Sequence, residues 1–139
     1  MEPDQPPLIK TLLVDDDRTS LLLLSKIVEE SCECTTARSG AEAIEAIRAS
    51  LVAGSPFELM FIDIQLDDTD GRSLLKKVRE VESKLSVSEQ EKCKIIMITA
   101  DRDILTRKEC QSLGSDAYIT KPINSVVIQT RLKMLGLAD

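Results

Sequence analysis

The chain contains no histidine, so a zinc site would have to draw its ligands from thiolates and carboxylates alone. The cysteine spacing does not supply one. Cys32 and Cys34 stand as C-x-C rather than the C-x-x-C of zinc or redox sites. With Cys93 and Cys110 they make four cysteines, and a core of this size needs no disulfide staples, so free thiols and a cytoplasmic location are expected. No apolar run is long enough to cross a bilayer, and the opening MEPDQPPLIK lacks the basic start and apolar stretch of a secretory signal. No basic run offsets the formal net charge of −6, which argues against direct binding of nucleic acid. Neither a G-x-x-x-x-G-K-[ST] loop nor a G-x-G-x-x-G turn occurs, so the usual nucleotide cradles are missing. Internal repeats and low-complexity tracts are missing too.

What is there is an ordinary globular balance in 139 residues, with 42% apolar and 30% charged side chains, enough for one domain with a real core. Residues 1–8, with Pro3, Pro6 and Pro7, read as a disordered lead-in to a domain over residues 9–136. Short apolar runs at 9–14, 59–62, 95–98 and 117–119 read as buried strands, with a further strand at 34–37. Helical spacing follows each strand: Leu21, Leu24 and Val28; Ala43, Ile44 and Ile47; Leu74, Leu75 and Val78; then helices over about 103–113 and 125–135. Asp17 or Thr19 offers a cap for the first helix, Gly54-Ser55-Pro56 breaks the second, and Gly114 stops the fourth. Residues 83–94 read as a helix tail and loop. Five strands alternating with five helices predict an α/β fold, a doubly wound parallel sheet covered on both faces.

In such a sheet the ligand site lies beyond the carboxyl ends of the strands. The first strand ends in Asp15-Asp16-Asp17, the third in Asp63, the fourth in Thr99, and the fifth leads into Lys121-Pro122. Carboxylates gathered on one rim repel one another unless a cation joins them. An all-oxygen donor set suits a hard divalent ion, magnesium, with manganese as the alternative. Lys121 offers a compact positive charge and Thr99 a hydroxyl for phosphoryl oxygens, while Asp63 offers a nucleophilic carboxylate able to form an acyl phosphate.

LLVDDD, FIDIQLDDTDG, IMITAD and AYITKP, in that order, resemble the receiver domains of two-component response regulators. The resemblance runs from about Lys10 to Leu135. It implies a flavodoxin-like (βα)5 sheet with strand order 2-1-3-4-5, and a phosphoryl donor that is a phosphohistidine on a histidine kinase or histidine phosphotransfer protein. Residue by residue, it implies that Asp63 is the phosphoacceptor, that Asp15 and Asp16 bind the metal beside it, and that Gln65 adds its backbone carbonyl. It further implies that Thr99 and Lys121 contact the phosphoryl group, that Tyr118 is an aromatic switch moving with Thr99, and that the Lys121–Pro122 bond is cis. The output surface is expected at helix 4, strand 5 and helix 5, toward a downstream protein or a second copy. No separate output domain is legible, so a single-domain regulator, or a receiver excised from a larger hybrid protein, is expected, in either case without enzymatic turnover of its own.

Two features depart from the family pattern. Asp67 and Asp68 follow the acceptor where proline is common, and their charge is expected to loosen the loop or disfavour anionic donors; with Asp70 they read as solvated turn residues. The 82–94 connection is also long. Gln65 and Asp101 flank the expected approach of a hydrolytic water and favour moderate self-dephosphorylation. The run 21–24 has more apolar surface than one buried face needs, which leaves extra packing against neighbouring helices, or a docking role for Leu22 or Leu23 toward a kinase or phosphotransfer partner. A phosphatase of the haloacid dehalogenase type is the enzymatic rival, since Asp15 and Asp17 echo its opening, although the threonine that should follow is missing. A partner-binding pseudo-receiver is the third reading.

Overall fold

A computed structural model describes residues 7–100 and 104–138. The elements run β1 (Ile9–Val14), α1 (Arg18–Val28), β2 (Cys32–Ala37), α2 (Gly40–Val52), β3 (Leu59–Asp63), α3 (Gly71–Lys84), a 3-10 turn (Glu89–Glu91), β4 (Lys94–Thr99), α4 (Ile104–Ser112), β5 (Ala117–Thr120) and α5 (Ser125–Met134). The five strands form one parallel sheet in the order β2-β1-β3-β4-β5, the flavodoxin-like arrangement. Pro7 and Leu8 carry no regular structure, whereas residues 1–6 and the expected first residue of α4, Asp103, lie outside the described residues.

The apolar runs are continuous because helices cover both faces of the sheet. Successive residues alternate between two cores. Met60 and Ile62 of β3 and Ile95 and Met97 of β4 face α2, α3 and α4, where they meet Ala43, Leu74, Leu75, Val78 and Cys110. Leu59, Phe61, Ile96 and Ile98 point the other way, to Leu21, Leu24 and Val28 of α1 and Ile128 and Leu132 of α5. Each such leucine or isoleucine, once fully buried, contributes about 1.5–3 kcal/mol.

Two boundaries differ from the sequence pattern. β2 begins at Cys32, which pairs with Ile9; it is an edge strand buried only at its two ends, so its apolar signal is faint. α1 stops at Val28 rather than near Glu30. Asp17 caps α1, accepting from the Thr19 N–H at 3.0 Å. All four cysteines are free, and burial pushes the Cys34 thiol up to about 11 and that of Cys93 well above its ordinary value. Among the described residues, no helix is long and apolar enough to cross a membrane.

Candidate functional site

Parallel pairing lines up the strand ends, so residues far apart in sequence reach one rim. Asp15 follows the last residue of β1, and its N–H donates to Ala37 O at 3.1 Å. Asp63 closes β3 and Thr99 closes β4, paired with Thr120 of β5. The next residue, Lys121, donates its N–H to Thr99 O at 2.7 Å, and the Lys121–Pro122 peptide is cis.

The Asp63 carboxylate is held at both oxygens. Oδ1 accepts from the Gln65 N–H at 2.9 Å, and Oδ2 accepts from Lys121 Nζ at 3.0 Å. The same ammonium donates to Asp15 Oδ2 at 3.0 Å, while Asp15 Oδ1 takes the Asp17 N–H at 2.9 Å. Asp15 and Asp63 are each only 5% exposed, and Thr99 is fully buried. Asp16, half-buried, completes a trio: Asp15, Asp16 and Asp63 offer carboxylate oxygens within 4.8 Å of one another.

The electrostatics favour a cation. Burial pushes the Asp63 carboxyl above its ordinary range, and the Asp15 charge adds to this, against the hydrogen bonds from Gln65 and Lys121. Asp16 is likewise raised, first by burial, then by a hydrogen bond and charge from Asp67 and by the charges of Asp15 and Asp63. Burial alone would lower Lys121, but its bonds to Asp15 and Asp63 outweigh that and raise it. One ammonium facing three carboxylates leaves net negative charge in a confined space. An all-oxygen set of this kind fits magnesium, which binds through one or two carboxylates and keeps several waters.

The other residues singled out in the sequence fall as follows. Tyr118 is buried on β5 within the core that α2, α3 and α4 cover. Gln65 is exposed at the base of the loop after β3, bridged to Asp70. Asp101 lies outside the described residues. Leu22 and Leu23 are 63% and 46% exposed, so extra packing does not account for them; α1 buries Leu21 and Leu24 instead.

Asp68 is exposed in the loop and Asp70 is partly exposed at its end, and both carry structural hydrogen bonds as well. Asp68 accepts from the Gly40 and Ala41 N–H groups at 2.8 and 3.1 Å, which pins the loop rather than loosening it. Asp70 caps α3 and pairs with Arg72, whose Nη1 reaches Glu109 Oε1 on α4 at 2.8 Å. Ser20 was missed: its Oγ donates to Asp17 Oδ2 at 3.0 Å and lies 3.5 Å from Lys121 Nζ. The cap-plus-three spacing of Asp17 and Ser20 was the available signal. Asp17 is thus engaged as a helix cap, which removes the second acid that the phosphatase reading needs.

This chain belongs to the response regulator receiver domain family, whose model matches residues 11–133. It is 34% identical over 139 residues to hybrid signal transduction histidine kinase L of Dictyostelium discoideum, covering 97% of this chain and 8% of that protein. Identity is 30% over 131 residues to the sensor protein GacS of Pseudomonas syringae pv. syringae, covering 93% of this chain and 14% of that protein. The chain therefore spans a small part of these relatives. Among solved structures, a CheY-like receiver domain protein from Methanospirillum hungatei JF-1 matches with a TM-score of 0.76 and 28% identity, covering 93% of this chain and 94% of that one. The fold is also shared by the receiver domain of Ssk1 from Saccharomyces cerevisiae, solved with the histidine phosphotransfer protein Ypd1, at a TM-score of 0.76 and 22% identity, covering 91% of this chain and 88% of that one.

Proposed function

We propose that Asp63 accepts a phosphoryl group from a phosphohistidine on a histidine kinase or histidine phosphotransfer protein, in a magnesium-dependent reaction. The observation that carries this reading is the grip on Asp63: a Gln65 N–H on one oxygen and the Lys121 ammonium on the other, with Asp15 and Asp16 alongside. Phosphoryl transfer asks mainly for alignment and neutralised charge. An Asp63 oxygen attacks phosphorus, the P–N bond breaks, and the donor imidazole leaves with the electron pair and regains a proton. Lys121 and the Thr99 hydroxyl hold phosphoryl oxygens. Asp15, Asp16, Asp63 and the Gln65 carbonyl would hold magnesium, which would supply positive charge against the phosphoryl oxygens.

The yeast receiver of the same fold, held by a phosphotransfer protein, motivates the partner class. The output is a surface change in which Thr99 and Tyr118 move together, read at α4, β5 and α5 by a downstream protein or a second copy. Ile104 and Leu105 of α4 and Val126 of α5 stand exposed there, which supports an interface reading. The domain acts as a phosphoacceptor rather than as an enzyme turning over an external substrate, and its free thiols support a cytoplasmic location.

The test is intact mass after incubation with acetyl phosphate, with and without magnesium, for wild type and Asp63→Asn. One phosphoryl increment that needs magnesium and is absent from the variant is expected. No increment, with beryllofluoride also failing to bind, would leave partner binding alone as the function.

A further inference from the structure

The loop between β3 and α3 is closed at its base and tied at its tip. At the base, the Gly71 N–H donates to Ile64 O at 2.7 Å, and Gln65 bridges Asp70. A Cβ at Gly71 would lie 2.2 Å from Asp63 O, so the chain closes here only without a side chain. At the tip, the two Asp68 oxygens take the Gly40 and Ala41 N–H groups, the first two of α2, which no helical carbonyl can satisfy. These bonds hold the Asp68 carboxyl below its ordinary range. Thr69 packs so closely on the helix start that a Cβ at Gly40 would meet its Cγ2 at 2.3 Å.

α2 already has a cap of its own. Ser39 Oγ accepts from the Glu42 N–H at 3.1 Å, and Glu42 Oε2 accepts from the Arg38 N–H at 3.0 Å. Asp68 takes the two N–H groups that this cap leaves over, and because it comes from another loop it also fixes that loop to the helix. One member of that loop touches the reacting group: the Gln65 N–H, 2.9 Å from Asp63 Oδ1.

We propose that Asp68 is a positioning residue for phosphoryl transfer, anchoring the loop tip to α2 and so fixing the Gln65 N–H that orients the Asp63 carboxylate. The inference rests on Asp63 being the phosphoacceptor. Asp68 does not touch Asp63 and acts only through Gln65. Releasing the tip lets the carboxylate turn away from its transfer orientation, and in-line transfer is sensitive to such misalignment.

The experiment compares wild type, Asp68→Ala, Asp68→Asn and Ser39→Ala, reading the maximal rate constant of phosphoryl uptake from acetyl phosphate at saturating magnesium, alongside thermal stability. Asp68→Ala loses two bonds to the start of α2 and Ser39→Ala loses one, and both variants lose stability. Only Asp68→Ala is expected to lower the maximal rate constant, by about tenfold. Asp68→Asn, able to accept one N–H but not both, falls between. Independently, Gly40→Ala should push Thr69 away and slow uptake with Asp68 intact, and adding Thr69→Ala should restore it. Wild-type rate in Asp68→Ala, with a stability loss like that of Ser39→Ala, overturns the inference and leaves a helix cap. Absence of uptake by wild type itself overturns the acceptor reading and this inference with it.

Discussion

Lys121 Nζ lies 3.0 Å from Asp63 Oδ2, joining the ends of β5 and β3 across the intervening β4. The same ammonium is 3.0 Å from Asp15, so one side chain holds two buried carboxylates together. A residue placed this way both steadies the Asp63 carboxylate and competes with any other cation for its oxygens.

Lys121→Ala separates these effects. Phosphoryl uptake from acetyl phosphate is expected to fall by about a hundredfold, as when one donor to a developing charge is removed. Magnesium is expected to bind more tightly, because the competing ammonium is gone. Calorimetric titration and intact-mass time courses give the two numbers separately. Weaker magnesium binding in the variant would mean that Lys121 organises the carboxylates rather than competing for them.

Asp70 carries a pH dependence of stability. Its hydrogen bonds and charge contact with Arg72 hold its carboxyl below the ordinary 3.8. A carboxyl depressed in the folded state stabilises fully above its ordinary value and loses that contribution as pH falls through the folded value. Asp70→Ala is expected to cost about 1 kcal/mol near neutral pH, mostly the lost cap of α3. The ion pair adds little, since both side chains are about a third exposed. Urea denaturation should show the gap between wild type and variant closing as pH falls below the ordinary carboxyl value. A gap that stays constant would assign the effect to packing alone.

Much of this was legible in the sequence because burial writes itself there. β3 and β4 are covered on both faces and read as unbroken apolar runs, and each ends where polarity begins. Once the winding order is known, those ends bring Asp15, Asp63, Thr99 and Lys121 together without further information. β2 was read short because an edge strand has little burial to display. The bonds of Asp68 are silent in the sequence for a different reason: its partners lie 27 and 28 residues away, and neither periodicity nor local spacing reports such a contact. The acids after Asp63 carried charge in the sequence but no direction, and direction decided whether Asp68 loosened the loop or pinned it.

Arg79 escaped notice for the same reason, and a large stability effect is expected there. On α3, its guanidinium donates to Glu82 Oε1 at 2.5 Å, Cys93 O at 2.9 Å, Gly114 O at 2.8 and 3.0 Å, and Asp116 Oδ2 at 2.9 Å. Glu82 Oε2 in turn accepts the Cys93 N–H at 2.7 Å. The cluster stitches α3 to the start of β4 and the turn before β5, at the end of the sheet away from Asp63. Arg79→Ala leaves the buried Glu82 without its cation and should cost about 3–5 kcal/mol. Arg79→Lys should recover little, because one ammonium cannot replace a planar fork of donors. The expected urea midpoint falls with an unchanged slope, and the folded variant takes up phosphoryl normally. A loss of only a few tenths would mean that the network is redundant.

Leu22 tests how a donor protein meets the site. α1 starts immediately after the three acids, and Ser20 in its first turn lies 3.5 Å from Lys121 Nζ. Leu22 and Leu23 stand exposed on this helix, and a donor bringing phosphohistidine to Asp63 is expected to dock against them. Leu22→Glu removes apolar contact and adds charge there without disturbing the core, so stability should change by no more than about 0.5 kcal/mol. Transfer from a phosphorylated histidine phosphotransfer domain is expected to slow by about tenfold, the loss of one significant interface contact. Uptake from acetyl phosphate, which needs no docking, should stay at the wild-type rate. Slowing with both donors would place the effect in the site rather than at an interface, and unchanged transfer from the protein donor would remove this face of α1 from the docking surface.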